Sequence, residues 1–189
     1  MRLVAGREEL SFLDLGPTSA GNISLLSERG SRIHTEDLLG SSMDPDLYKT
    51  VDEGPGVIDV EKFLKENLSF HGGTFDAVFF WDIADYLPEP LVKPVIEKIF
   101  VAMKPGGVLL AFFHTKDAGP EAPYSRYHIA GEDALDLQPV MVRNGQGGSS
   151  LVKLQRVFNN RHIENLFRDY ASLKFFLARD NIREVLVVR

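Results

Sequence analysis

A chain of 189 residues, 44% hydrophobic and 25% charged, has the composition of one soluble globular domain with a substantial core. Its formal net charge of −6 argues against a broad basic nucleic-acid footprint, and the lack of any cysteine excludes disulfides, thiolate zinc sites and cysteine nucleophiles. No apolar run approaches membrane-spanning length and no apolar signal core opens the sequence, so a cytoplasmic protein without nucleic-acid or membrane partners is expected.

Leu10, Phe12, Leu13 and Leu15 form a short apolar run around Asp14, bounded by turn residues, and predict a buried first strand. The loop Gly16-Pro17-Thr18-Ser19-Ala20-Gly21 then opens a helix that ends near Gly30. A second strand is expected over about Ser31–Thr35, closing on Glu36 and Asp37. The segment from Gly40 to Gly56 is polar and turn-rich and reads as loop or short helix, so no third strand is placed there. Val60, Phe63, Leu64 and Leu68 recur at helical spacing.

Ala77–Trp81 is unbroken apolar sequence, as a central parallel strand covered on both faces requires. Leu91, Val92, Val95, Ile96, Ile99, Phe100 and Met103 form the stripe of a helix in which Pro94 is tolerated only in the first turn. Lys104-Pro105-Gly106-Gly107 punctuates the chain before the strand VLLAFFH. Strand and helix therefore alternate, the pattern of an α/β doubly wound, mostly parallel sheet. Residues 115–160 break the pattern and read as an inserted β-hairpin or flap, with strands near Asp136–Val142 and Leu151–Val157, inside a single domain spanning residues 1–189. Asn160 is placed to cap the helix RHIENLFRDYA. The last 18 residues predict two strands joined through Arg179-Asp180-Asn181, a connection short enough to demand an antiparallel pair.

An open parallel sheet ending in an antiparallel strand resembles the class I S-adenosylmethionine-dependent methyltransferases, and the resemblance covers nearly the whole chain. LDLGPTSAGN resembles the family's glycine-rich first motif, TED the acidic end of the second strand, FDAVFFWDIADYLP the fourth-strand motif and MKPGGVLLAFF the turn that follows it. The resemblance implies a seven-stranded sheet with S-adenosylmethionine as cofactor and a small-molecule methyl acceptor. It assigns cofactor contacts to Asp14, Gly16, Pro17, Thr18, Ser19 and Gly21 on the first turn, to Asp37 with Glu36 as its rival, and to Phe80 and Trp81. Thr18 stands where the family's middle glycine is usual.

Asp82 and His114 end strands at the expected ligand crevice and are the candidates for catalysis or substrate contact. Asp82 can face either cofactor or substrate, and His114 can be a general base or a polar strand end. Tyr124, Tyr127 and His128 in the flap are placed either for substrate contact or for loop packing. No Asp-Asn pair follows the fifth strand, so no metal is expected. The altered turn leaves a second reading open, a methyltransferase-fold binding or scaffolding protein without turnover. An NAD(P)-dependent oxidoreductase is disfavoured because Gly16–Gly21 lacks the middle glycine of G-x-G-x-x-G. The flap is expected to close the active site, a role a partner subunit can share in a homodimer.

Overall fold

The computed structural model describes residues 9–49, 56–118, 122–131, 134–143, 149–177 and 181–189. Phe75–Trp81 (β5) is buried at every position, which a strand tolerates only with cover on both faces, and it runs through the middle of the main sheet. β1 (Ser11–Asp14) lies parallel to it on one side, with Phe12 opposite Ala77, and β2 (Arg32–Thr35) pairs parallel with β1. On the other side β6 (Met103–His114) runs parallel to β5. β12 (Ile182–Val188) is antiparallel to β6, and β11 (Ser172–Leu177) is antiparallel to β12, so the expected terminal hairpin is present. Its expected turn residues Arg179 and Asp180 lie outside the described residues.

The resulting order, β11-β12-β6-β5-β1-β2, has six strands, not seven. Beyond β2 the chain forms α2 (Leu38–Ser42), a 3₁₀ turn at Pro45–Leu47 and a small separate antiparallel pair, β3 (Tyr48–Lys49) with β4 (Val57–Ile58). Among the described residues of the 3₁₀ turn and the pair, only Leu47 and Ile58 are buried, too few apolar positions to anchor another strand of the main sheet.

One face of the sheet carries α3 (Val60–Asn67), α4 (Ile83–Tyr86), α5 (Glu89–Ala102) and α6 (Asn160–Leu166), whose apolar sides join Leu13, Val78, Phe80 and Phe113 in the larger core. The other face carries α1 (Ala20–Glu28), capped by Ser19, over Phe12, Phe79, Trp81 and Phe112. Pro94 sits past the first turn of α5, because the helix begins at Glu89; the buried stripe Leu91, Val95, Ile96 and Ile99 holds it there. The cap of α6 is Asn159, one residue earlier than expected, and its side chain accepts from His162 N at 2.9 Å.

The inserted segment holds two hairpins rather than two long strands. β7 (Ser125–Ile129) pairs with β8 (Leu135–Pro139), and β9 (Met141–Arg143) with β10 (Ser149–Leu151). Residues 152–158 form no strand; the carbonyl of Asp85 pins them by accepting from Gln155 N and Arg156 N. β7 packs Tyr127 and Ile129 against the α1 face of the sheet, so the insertion is part of the core.

The Lys104–Gly107 punctuation is a register break within β6, between the pairs Phe75–Met103 and Ala77–Val108. A Cβ on Gly107 would lie 2.8 Å from the Lys104 carbonyl oxygen, 3.2 Å from that of Phe75 and 3.3 Å from that of Asp76. Backbone cannot yield cheaply, so Gly107→Ala is expected to lose about 1–3 kcal/mol of stability. Urea unfolding checks this, and an unchanged midpoint would contradict the packing described.

Candidate active site at the strand ends

Asp14 ends β1 fully buried, and both of its oxygens are engaged. Oδ1 accepts from Gly16 N at 3.2 Å and from Trp81 Nε1 at 2.6 Å, while Oδ2 accepts from Asn22 Nδ2 at 3.2 Å. Burial pushes the carboxyl up from its ordinary range, and the three donors pull it back part of the way.

Trp81 is the last residue of β5 and adopts φ +47°, a left-handed conformation that costs a bulky side chain about 1–2 kcal/mol. The strain places the indole over the first turn: a Cβ on Gly16 would meet Trp81 Cδ1 at 2.7 Å. Gly16 is therefore required by the indole. Gly21 is not constrained in this way, since its Cβ would find only Ser19 Oγ, at 3.7 Å. Trp81 stacks on Phe79 at 4.9 Å and on Tyr127 at 4.9 Å with an interplanar angle of 3°.

β7 is tied to the same turn. Asn22 donates from Nδ2 to the Tyr127 carbonyl at 2.9 Å, and its Oδ1 accepts from Ile129 N at 2.8 Å. Ser19 Oγ accepts from Asn22 N at 3.1 Å and shares a hydrogen bond with His128 Nδ1 at 2.7 Å. The turn that the resemblance assigns to a cofactor is thus joined to the inserted hairpin through Asn22, Ser19 and Trp81.

Behind Trp81 lies a second polar cluster. Asp82 is 1% exposed, and neither of its oxygens makes a hydrogen bond of ordinary geometry, although the Tyr127 hydroxyl faces it. Burial raises its pKa to about 7, against the opposing pull of His114. Asp85, on α4, is buried completely; its Oδ2 accepts from His114 N at 2.7 Å and contacts His114 Nδ1 at 2.9 Å. Burial lowers proton affinity at His114, but the bond and charge of Asp85 and the charge of Asp82 outweigh it and leave the imidazole raised. Tyr86 sets its edge against His114 and donates to the Ala122 carbonyl at 3.0 Å. The Tyr124 hydroxyl is buried without a partner, and the charges of Asp82, Asp37 and Asp14 help hold its proton on.

Of the residues singled out from sequence, Asp14, Gly16, Ser19, Trp81, Asp82 and His114 converge on this crevice. Pro17 is buried on the same turn, whereas Thr18 and Gly21 face outward. Phe80 points to the opposite side and packs in the larger core. Asp37 caps α2, accepting from Gly40 N at 2.9 Å, so Glu36, half-buried just past β2, is the acid less committed to the backbone. Asn22 and Asp85 carry more of the site than sequence reading suggested. The i, i+3 spacing of Asp82 and Asp85 after a buried strand was the available signal for Asp85; nothing local marked Asn22.

The donor set suits S-adenosylmethionine in chemistry: a buried carboxylate and glycine turn for an amino-acid end, and acids past β2 for ribose hydroxyls. In this conformation the space over Gly16 belongs to the indole, so a cofactor placed over Gly16 would displace Trp81 from Asp14.

The raised pKa of Asp82 has a consequence for stability. Between roughly pH 4 and pH 7 the native carboxyl holds a proton that the unfolded chain has released, so stability falls as pH rises through that window and stays lower above it. Asp14, Asp85 and His114, all raised, act with the same sign. Asp82→Asn is expected to flatten the dependence and to be more stable than the parent at pH 8 by up to about 4 kcal/mol. Urea midpoints at pH 5 and pH 8 measure this; parallel curves for the two proteins would contradict it.

No protein-family model and no curated protein matches the sequence. Solved structures do match it in fold. The PH0226 protein from Pyrococcus horikoshii OT3 superposes with a TM-score of 0.57 at 14% identity, over 99% of this chain and 85% of the other. A SAM-dependent methyltransferase from Archaeoglobus fulgidus gives 0.54 at 10% identity, over 96% and 86%. The Burkholderia thailandensis 1,6-didemethyltoxoflavin-N1-methyltransferase, solved with 1,6-didemethyltoxoflavin and S-adenosylhomocysteine bound, gives 0.53 at 12% identity, over 96% and 72%. At such identities the likeness is one of architecture, and with the strand order and antiparallel end described above it establishes that this chain has the class I S-adenosylmethionine-dependent methyltransferase fold.

Proposed function

We propose that the protein transfers a methyl group from S-adenosylmethionine to a small-molecule acceptor bound at the ends of β5 and β6. The observation that carries this reading is the convergence, in this fold, of a buried carboxylate on a glycine turn (Asp14, Gly16) with an unpartnered carboxyl at the next strand end (Asp82). The cofactor supplies an electrophilic methyl on a sulfonium, whose positive charge suits a crevice lined by carboxylates. Asp14, the Gly16 backbone and Glu36 would hold it. The chain's own contribution is alignment and exclusion of water, which methyl transfer to a prepared nucleophile mainly needs. Tyr127 and Trp81 wall the crevice, and Asn22 fixes β7 across it. Asp85 orients the His114 ring, while Asp82, faced by the Tyr127 hydroxyl, is the group available to take a proton from an acceptor.

One observation favours a second reading, a methyltransferase-fold protein without turnover: every donor around Asp14 already comes from the chain itself. Calorimetric titration with S-adenosylmethionine and S-adenosylhomocysteine decides between them. Micromolar binding, tightened about tenfold in Trp81→Phe, which loses the indole bond to Asp14, is the expected result. Folded parent and variant that both fail to bind would overturn the enzymatic reading.

A further inference from the structure

Five of the six buried side-chain atoms without a hydrogen-bond partner, among the described residues, lie on residues of this crevice or its rim: Asp82 Oδ1 and Oδ2, Asp85 Oδ1, Tyr124 Oη and Thr115 Oγ1. Buried polar atoms are ordinarily satisfied, and an unmet carboxyl oxygen costs on the order of 1–3 kcal/mol or more. Such a group at the end of central strands calls for something that donates hydrogen bonds.

The surroundings narrow what that donor is. Above about pH 7 Asp82 is mostly a carboxylate, which only accepts, so a ligand beside it needs N–H or O–H groups. Asp14, Asp37 and Asp82 all bear on Tyr124, and Asp85 adjoins Asp82, with His114 bonded to Asp85 and the charge of Arg156 also acting on it. A carboxylate, phosphate or enolate would meet like charge here. The remaining walls are aromatic: Trp81 and Tyr127 face to face, with Tyr86 and Tyr124 at 5.1 Å. Aromatic faces beside a carboxylate attract a cation and repel an anion.

We infer that the acceptor site between Asp82, Tyr124 and Asp85 is built for a small nitrogen base, an amine or amidine bearing N–H groups, held by Asp82 and flanked by Tyr86 and Tyr127. This deepens the methyltransferase reading and rests on it for the word acceptor, though not for the binding itself. The bound, protonated nitrogen would give one proton to the Asp82 carboxylate; the lone pair so freed would form the nitrogen–methyl bond as the methyl–sulfur bond of the donor breaks, its electron pair leaving on S-adenosylhomocysteine. The atoms involved are buried beside Tyr127 of β7.

Three matched probes test the inference on the purified chain: phenethylamine, 2-phenylethanol and 3-phenylpropionate, followed at pH 7.5 by saturation-transfer NMR. The amine is expected to bind saturably, at least ~10-fold tighter than the alcohol, with the acid not bound; Asp82→Asn should weaken the amine ~10-fold or more, and Tyr124→Phe less. Thermal unfolding of each variant confirms that it is folded. Equal binding of the alcohol or the acid, unaltered amine binding in Asp82→Asn, or no saturable amine binding would overturn the inference. Selective amine binding without any S-adenosylhomocysteine binding would remove the methyl donor and leave this site standing; the converse would remove this site alone.

Discussion

The bond from Trp81 Nε1 to Asp14 Oδ1, at 2.6 Å, is the contact around which the strand ends are arranged. It joins the carboxyl ends of β1 and β5 through two buried side chains. To make it, Trp81 adopts a left-handed backbone, and position 16 has to be glycine because any Cβ there would strike the indole. The same ring then offers a flat face to Tyr127, which brings β7 onto the crevice, where Asn22 holds it with two backbone bonds. A substitution at any of Asp14, Gly16, Asn22 or Trp81 therefore acts on the other three.

The crevice behind this bond works against stability. Asp82 and Asp85 are removed from water with three of their four oxygens unsatisfied, a condition the protein sustains because the two apolar layers on either face of the sheet supply a large opposing term. Functional sites are where such local conflicts are retained. The electrostatics give the conflict a direction: three buried acids, Asp14, Asp82 and Asp85, outnumber His114 and Arg156, so with the acids ionised the site favours positive charge. A sulfonium donor and a nitrogen acceptor both answer to that field, which is why one polar arrangement serves both halves of the proposed reaction.

Much of the fold was legible because it rests on periodicity. The unbroken run Ala77–Trp81, the stripe from Leu91 to Met103 and the short link before Ile182 each have one structural solution. The missing seventh strand was legible only as a silence, since the polar stretch after Asp37 had no pattern to read. β7 escaped because its alternation is carried by Tyr127 and Ile129 between polar neighbours, and its cover is the far side of α1. Asp14, Asp82 and His114 were singled out from their places at strand ends and Gly16 from the turn after the first strand, and the structure brings the four together. Their actual partners were not, since Asn22 to Ile129 spans 107 positions of sequence and Trp81 to Asp14 spans 67. Gly16 was singled out as a close approach to a ligand, and in the structure it is the indole that approaches it.

Trp81 is the sole tryptophan of the chain, so its fluorescence reports the Asp14 contact without interference. The decisive measurement is emission and acrylamide quenching during titration with S-adenosylhomocysteine. The account predicts a blue-shifted, poorly quenched indole in the free protein that shifts to the red and becomes quenchable in a saturable way as the ligand displaces it from Asp14. Saturable binding that leaves the emission and quenching unchanged would contradict it, because the ligand would then occupy a place other than the one the indole holds.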